Sequence, residues 1–318
     1  MGNALVDIMT RLDNDDYLGK FGLPKGSMTL VDAEKSEAVL AGIVHLEKSV
    51  RSGGSAANTI HGLARLGLKT AFVGKTGRDL MGETFYGDLV QSYIQPLLSS
   101  SDTPSGKAIA LVSPDSERTF ATYLGAAMEL SAIDIDENLF DGFDFFHAEG
   151  YLVQNRPLLD KALGIARRRG MTVSLDMASY NIVEQNREFL SEMLKDYVDV
   201  VFANEDEARA FTGEEPAEAL RLLSGLCPVA VVKVGPKGSL ASKGGSTHQI
   251  GILEVNSIDT TGAGDLYAAG FLYGMAHGLP IERCGRIGAI LAGNVIEVLG
   301  PKMDDERWGK IQFALGKI

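Results

Sequence analysis

From about residue 143 onward, short uniformly apolar runs alternate with longer segments whose apolar positions recur every three or four residues. The runs 143–148, 171–176, 198–203 and 229–234 read as strands. Between them, 157–169, 187–196, 205–212 and 217–226 read as helices, the first with Pro157 in its opening turn. Strands that are apolar on both faces and joined by helices predict a mainly parallel sheet covered on both sides. Residues 238–251 break that rhythm: they alternate, carry Gly244-Gly245 at the middle and predict a β-hairpin. Two long helices are expected after it, over 264–277 and 281–298.

The first third is less regular. Residues 55–66 read as a helix that Ser55 can cap, with Ile60 and Leu63 on one face and Gly67 ending it. Around it, 8–31 and 107–123 hold short β-like runs and no helix of matching length. These runs are expected to pair into a small sheet. The expected organisation is one α/β domain over 1–318, a three-layer α/β/α sandwich with a β lid drawn from about 9–50 and 100–125. A (β/α)8 barrel is the rival, and the hairpin and consecutive terminal helices fit it poorly.

Composition narrows the function classes. Of 318 residues 45% are hydrophobic, enough for a large core, and 30 basic against 42 acidic side chains give a formal charge of −12. That balance argues against a nucleic-acid partner, which needs a clustered basic face. The one basic run, Arg167-Arg168-Arg169, falls at the end of a predicted helix, where positive charge suits the helix dipole. Two separated cysteines, Cys227 and Cys284, imply a reducing compartment and read as core residues. No basic-then-apolar leader pattern opens the chain, and the apolar stretch 287–299 is too short to span a bilayer. A soluble cytoplasmic protein is expected.

The candidate chemistry concentrates in Asp259-Thr260-Thr261-Gly262-Ala263-Gly264-Asp265, which leads into a predicted helix. Two glycines flanking an alanine let the backbone approach a ligand closely. The free N–H groups of the helix start and its dipole favour an anion there. A carboxylate in that first turn repels a phosphate. It makes sense if Asp265 accepts the proton of an acceptor hydroxyl while the glycine turn stabilises a transferring phosphoryl group. The plain alternative is a tight turn followed by a dipole-stabilising aspartate.

Other phosphate and metal motifs fail. Gly74-Lys75-Thr76 lacks the earlier glycine of a P-loop, since Lys69 stands there, and Tyr267 stands where a dinucleotide motif needs its third glycine. His147-Ala148-Glu149 has no PCxxC partner, and the five histidines show no ligand spacing.

The string 259–265 resembles the C-terminal signature of the PfkB (ribokinase-like) carbohydrate kinases, a family that includes adenosine kinase. A second family signature stands about two hundred residues earlier, at Gly53-Gly54-Ser55-Ala56-Ala57-Asn58, running on into Gly62–Gly67 and Phe72-Val73-Gly74. The opening Gly2-Asn3-Ala4-Leu5-Val6-Asp7-Ile8 and Asn204-Glu205-Asp206-Glu207 are similar to family segments as well. The likeness spans essentially the whole chain, with one departure: family members usually have more strand before Gly2-Asn3-Ala4.

That resemblance implies an ATP-dependent kinase with Asp265 as catalytic base and Gly262, Ala263 and Gly264 as the anion-binding turn. It implies an acceptor bound by Asp7 and Asn58, with Asn3 near by, Gly53-Gly54 against the sugar ring and Glu149 as a further candidate. On the nucleotide side it implies Asn204, Lys233, Gly235, Gly238, Thr261 and Asn294. Asn204 and Glu207 would organise Mg²⁺, often through water, and Asp259 is the candidate for a monovalent cation such as K⁺. Arg118 would reach acceptor or phosphate on lid closure.

The opening segment with Leu12-Asp13 is closer to the adenosine kinase branch, whereas Tyr123–Ala127 and Glu149–Leu152 are similar to bacterial sugar kinases of unassigned substrate. A sugar is the expected acceptor, with adenosine or another nucleoside second. A non-catalytic sugar-binding protein on the same fold is the alternative of another class, disfavoured by an intact Asp265 beside an intact glycine turn. The expected state is a monomer or a homodimer through the lid, without nucleic-acid or membrane partners.

Overall fold

The computed structural model describes residues 1–115 and 117–316. The chain begins with β1 (Leu5–Arg11), α1 (Asp16–Phe21), β2 (Met28–Leu30), α2 (Ala33–Gly42) and β3 (Ser49–Gly53). It continues through α3 (Ser55–Arg65), β4 (Thr70–Gly77), α4 (Leu80–Gln91), β5 (Ile94–Ser101), β6 (Gly106–Val112) and β7 (Arg118–Tyr123). Then follow β8 (Phe145–Glu149), α5 (Arg156–Arg168), β9 (Thr172–Asp176), α6 (Tyr180–Asp196), β10 (Val200–Asn204), α7 (Glu205–Thr212) and α8 (Pro216–Ser224). The chain closes with β11 (Val229–Lys233), β12 (Ser239–Lys243), β13 (Ser246–Ile250), α9 (Ala263–Ala276), α10 (Ile281–Val295) and α11 (Asp305–Leu315).

The central six-stranded sheet has the order β13-β12-β11-β10-β9-β8. Strands β8 to β11 are parallel, and β12-β13 is the antiparallel hairpin. Alternation along the strands divides the core in two. Val201, Ala203, Ala230 and Val232 join the buried cluster containing residues of α5 to α8. Val200, Phe202, Val229 and Val231 join the cluster under α3, α4, α9, α10 and α11. Both faces of β10 and β11 at the centre of the sheet are therefore sealed, which is why these two strands carry no polar alternation before their last residue.

Residues 1–4 tie this sheet to the parallel pair β4-β5. Gly2 N–H donates to Val73 O at 3.2 Å, and Met1 O accepts the Glu149 N–H at 3.2 Å. The chain then enters β1 in a second, five-stranded sheet of order β2-β7-β6-β1-β3. Asn3 and Asp7 thus sit where one sheet hands over to the other.

Three features depart from the sequence reading. The five-stranded sheet carries two helices, and Leu18 of α1, Val39 of α2 and Ile43, the residue that caps α2, pack on Ile109, Leu111 and Ala121 in a separate small core. The helix expected over 187–196 begins at Tyr180, because two helical segments merge across a kink at Asn186, whose amide donates back to Ile182 O at 2.9 Å. A last helix, α11, was not expected; it is anchored by the buried Trp308 and Ile311. Among the described residues, no helix is long and apolar enough to cross a membrane.

Candidate active site

In a parallel sheet the strand C-termini all point the same way and leave a crevice at that end. Here β8, β9, β10 and β11 end on Glu149, Asp176, Asn204 and Lys233, so four polar residues arise side by side at the ends of largely buried strands. They open into a cavity of about 900 Å³, which is also lined by Asn3, Asp7, Gly54, Ser55, Asn58, Thr261, Gly264 and Asp265. The five-stranded sheet contributes a different part of the lining: Asp7 from β1, then Phe120 and Thr122 from β7 and Met28 and Leu30 from β2, with Leu124 following β7.

Helix α9 delivers Asp265 to this cavity. Gly262 is its N-cap with φ 76, and a β-carbon there would lie 2.6 Å from Pro301 Cβ, so both backbone and space call for glycine. Asp265 is gripped from α3: Ser55 Oγ donates to Oδ1 at 2.7 Å and Asn58 Nδ2 to Oδ2 at 2.9 Å. Burial pushes the carboxyl up to about 6, with the Asn58 and Ser55 hydrogen bonds pulling the other way. Such a group is ionised at neutral pH and basic enough to take a proton. Ser55 was expected to cap α3. Instead Gly54, with φ 95, holds the cap position, which frees the Ser55 hydroxyl for Asp265.

Asp7 faces the cavity from β1. Burial raises its carboxyl to about 7, opposed by Lys302 and reinforced by Asp265. Lys302 itself is held by Ser52 Oγ at 2.6 Å and Asp88 Oδ2 at 2.8 Å. A β-carbon on Gly53 would overlap the Asp7 carboxylate, so the glycine expected to admit a ligand first makes room for Asp7.

Glu149 is 1% exposed and largely committed to the scaffold. One oxygen accepts Asn3 N–H at 2.8 Å and Asn3 Nδ2 at 2.6 Å, and the other accepts Ala56 N–H at 3.1 Å. It thereby fastens the first residues of the chain to the start of α3.

At the sheet's other polar ends, Lys233 Nζ donates to Asp176 Oδ2 at 2.8 Å. Burial alone disfavours the ammonium, but Asp176 and Glu207 more than offset it and hold Lys233 charged. A β-carbon on Gly264 would lie 3.0 Å from Lys233 Nζ, so this ammonium sits directly beneath the glycine turn. Asn204 and Glu207 form a reciprocal cap at the start of α7: Glu207 accepts Asn204 N–H at 2.8 Å and Nδ2 at 2.7 Å, and Asn204 Oδ1 accepts Glu207 N–H at 2.8 Å. Burial, then Asp176, push the Glu207 carboxyl up.

Asp259 has a fully buried side chain. Oδ1 accepts from Arg118 Nη1 and from Thr261 N–H, the latter at 2.6 Å, and Oδ2 accepts Gly300 N–H at 2.6 Å. Arg118 Nη1 also donates to the Thr261 hydroxyl.

Eleven of the expected site residues therefore line one cavity: Asn3, Asp7, Gly54, Asn58, Glu149, Asn204, Glu207, Lys233, Thr261, Gly264 and Asp265. Gly53, Asp259, Gly262 and Ala263 are not in its lining but lie within two residues of the lining positions Gly54, Thr261 and Gly264. Gly235, Gly238 and Asn294 lie outside its lining, and the Asn294 amide donates to Ile290 O within α10 at 2.9 Å. Sequence reasoning missed Ser55, Asp176 and Lys302. Asp176 alone carried a signal, as the acid closing a run of apolar residues.

A family model described as pfkB family carbohydrate kinase matches residues 28–306. Among solved structures, a probable sugar kinase protein from Rhizobium etli CFN 42 has a TM-score of 0.90 and 32% identity, covering 100% of this chain and 97% of that one. The adenosine kinase from Sinorhizobium meliloti has a TM-score of 0.88 and 33% identity, covering 98% of this chain and 97% of that one. The adenosine kinase of Saccharomyces cerevisiae is 28% identical over 331 residues, 96% of each chain.

Proposed function

The chain belongs to the pfkB family of carbohydrate kinases, ATP-dependent phosphotransferases with a sugar or nucleoside hydroxyl as acceptor, and we propose that its own acceptor is a nucleoside. The observation that carries this reading is the unlike character of the cavity's two walls. A bare sugar presents hydroxyls on every side and matches polar groups all round. This cavity offers Asn3, Asp265 and the β1 residue Asp7 on one side, but on the other, from β2 and β7 and the residue after β7, Met28, Leu30, Phe120 and Leu124 around a single polar Thr122. A ribose fits the first wall and a flat base fits the second, since burying an apolar face there is favourable only for a ligand that has one.

In this reading Asp7 accepts hydrogen bonds from ribose hydroxyls and Asp265 accepts the proton of the hydroxymethyl group. The oxygen so freed attacks the γ-phosphorus of ATP in line, and the bond from that phosphorus to the β,γ-bridging oxygen breaks, releasing ADP. The N–H groups at the start of α9 and the ammonium of Lys233 meet the charge on the transferring group. Ser55 and Asn58 keep Asp265 aimed without neutralising it. Closure of the five-stranded sheet over the acceptor excludes water and suppresses idle hydrolysis of ATP.

Asn204 and Glu207 fit a magnesium ion carried by the nucleotide, because each Glu207 oxygen has accepted only one hydrogen bond and keeps a lone pair. When bound, that ion neutralises phosphate charge.

The test is ADP release with purine and pyrimidine nucleosides, ribose, hexoses and sugar acids, for the native enzyme and Asp265→Asn. Turnover of a nucleoside with kcat/KM about a hundredfold or more above ribose is expected, because the apolar wall then contributes binding that ribose cannot use. Asp265→Asn should lower kcat by about 10²–10⁴. A free sugar or sugar acid as the preferred acceptor overturns the nucleoside assignment, and an undiminished Asp265→Asn overturns the role of the base.

A further inference from the structure

The family resemblance implies a monovalent cation at Asp259, and the residues around that carboxylate do not fit one. Its single negative charge already faces the guanidinium of Arg118, whose side chain is 12% exposed while that of Asp259 is fully buried. The remaining acceptor positions are taken largely by the backbone, through the N–H groups of Thr261 and Gly300. A second cation placed against Asp259 would stand close to Arg118 in a region water barely reaches, where like charges repel strongly.

Arg118 is remote in sequence and belongs to a different layer of the molecule. It is the first residue of β7, next to β6 and β2 in the five-stranded sheet, whereas Asp259 and Thr261 precede α9 in the body. Through one nitrogen it reaches both the Asp259 carboxylate and the Thr261 hydroxyl. Thr261 in turn lies one residue before Gly262, the left-handed residue that launches the turn under Asp265. The contact therefore fixes the entry of the anion-binding turn, as a bound ion would, but only while the sheet bearing Arg118 is in place.

We propose that Arg118 is a built-in counter-cation for Asp259, which sets residues 259–264 without a monovalent ion and ties their order to the position of the five-stranded sheet. Arg118 is on this account a positioning residue. Its charge acts on the loop rather than on the reacting atoms.

The experiment compares the native enzyme, Arg118→Ala and Arg118→Gln in potassium, sodium and choline chloride at equal ionic strength. Thermal melting is the first readout and needs no acceptor, so it stands whether or not the nucleoside assignment does. The native Tm and kcat should be the same in all three salts. In choline chloride, Arg118→Ala should lose about tenfold or more in kcat, because the turn is no longer held in register. Potassium chloride should then raise its Tm by about 2–4 °C and restore most of the rate, since an ion can enter the vacated place. Arg118→Gln keeps hydrogen-bonding capacity without charge and should behave as the alanine variant does, which also covers the case of an alanine variant that does not fold. Three results overturn the proposal: potassium stimulation of the native enzyme, variants that melt and turn over like the native enzyme in choline, or folded variants that potassium leaves unchanged.

Discussion

Asn58 Nδ2 donates to Asp265 Oδ2 at 2.9 Å, joining the first turns of two helices whose residues stand 207 positions apart in the chain. The contact explains why the two glycine-rich segments belong to one site. In the proposed mechanism one supplies the base and the other its orientation, with Ser55 Oγ donating to the second oxygen at 2.7 Å.

That relationship sets the pH dependence of the reaction. Burial lifts Asp265 to about 6, and Asn58 and Ser55 restrain the rise by bonding to the charged form. A base works only when deprotonated, so activity should fall as pH drops through that value. Replacing Asn58 with Ala removes a hydrogen bond that favours the carboxylate, and the pKa must move up. The acid limb of kcat/KM is therefore expected to shift upward by about one unit, a difference of about 1.4 kcal/mol between protonation states. The loss of rate should accordingly be larger at pH 6 than at pH 8.5. A profile merely scaled down at every pH would mean that Asn58 serves only to bind the acceptor.

Much of this arrangement was legible in the chain. The apolar runs and their spacing gave the central sheet and α5 to α10, because those segments are buried on faces that their own periodicity announces. The helices α1 and α2 were not legible: α1 has six residues and α2 packs on a small separate core, so neither carries a long apolar stripe. Of the polar strand ends, Glu149, Asn204 and Lys233 were legible one at a time, but Asp176 was missed, as were the four as a set. Lys233 is legible as a nucleotide-side candidate, but its partner emerges only when β9 is placed on the far side of β10, which brings Asp176 within 2.8 Å of it. Lys302 gave no signal at all, since its role depends on a loop after α10 returning to Asp88 and Ser52.

Gly53 offers a test of how tightly Asp7 is aimed. Its backbone lies outside the left-handed region and it pairs with Leu5 in the antiparallel β1-β3 register, so alanine is acceptable to the main chain. The added β-carbon would instead overlap the Asp7 carboxylate, which must rotate away from its present direction. Gly53→Ala is expected to raise the acceptor KM by about tenfold or more, with stability lowered by about 1–3 kcal/mol as in other over-packed sites. Steady-state kinetics and a melting curve on the same preparation check both parts. An unchanged KM would remove Asp7 from the acceptor site.

The ion pair of Lys233 and Asp176 is nearly enclosed, with side chains 16% and 8% exposed, and Glu207 and Asp265 stand close enough to feel its charge. Lys233 is the single ammonium among these three carboxylates at the cavity's floor. Burial disfavours the Asp176 charge, but Lys233 and the Ala178 N–H at 3.0 Å more than offset it and hold its carboxyl below the usual range. Lys233→Met removes the cation and leaves that carboxylate buried with only part of its support. Such a break is expected to cost about 3–5 kcal/mol. Adding Asp176→Asn should return a large part of that loss, because the uncompensated charge leaves with it and the amide still satisfies some of the same partners. The double variant should therefore be more stable than Lys233→Met alone, the opposite of two independent losses. The sign with pH follows from the same shift. A carboxyl whose folded pKa lies below its unfolded value stabilises at neutral pH, and that stability is lost as pH falls through the folded pKa. In the double variant this acid-side loss should shrink. Denaturant midpoints at pH 7.5 and at about pH 3, below the unfolded carboxyl pKa, for the native enzyme and the three variants decide the matter, and additive single losses would show that the pair is uncoupled.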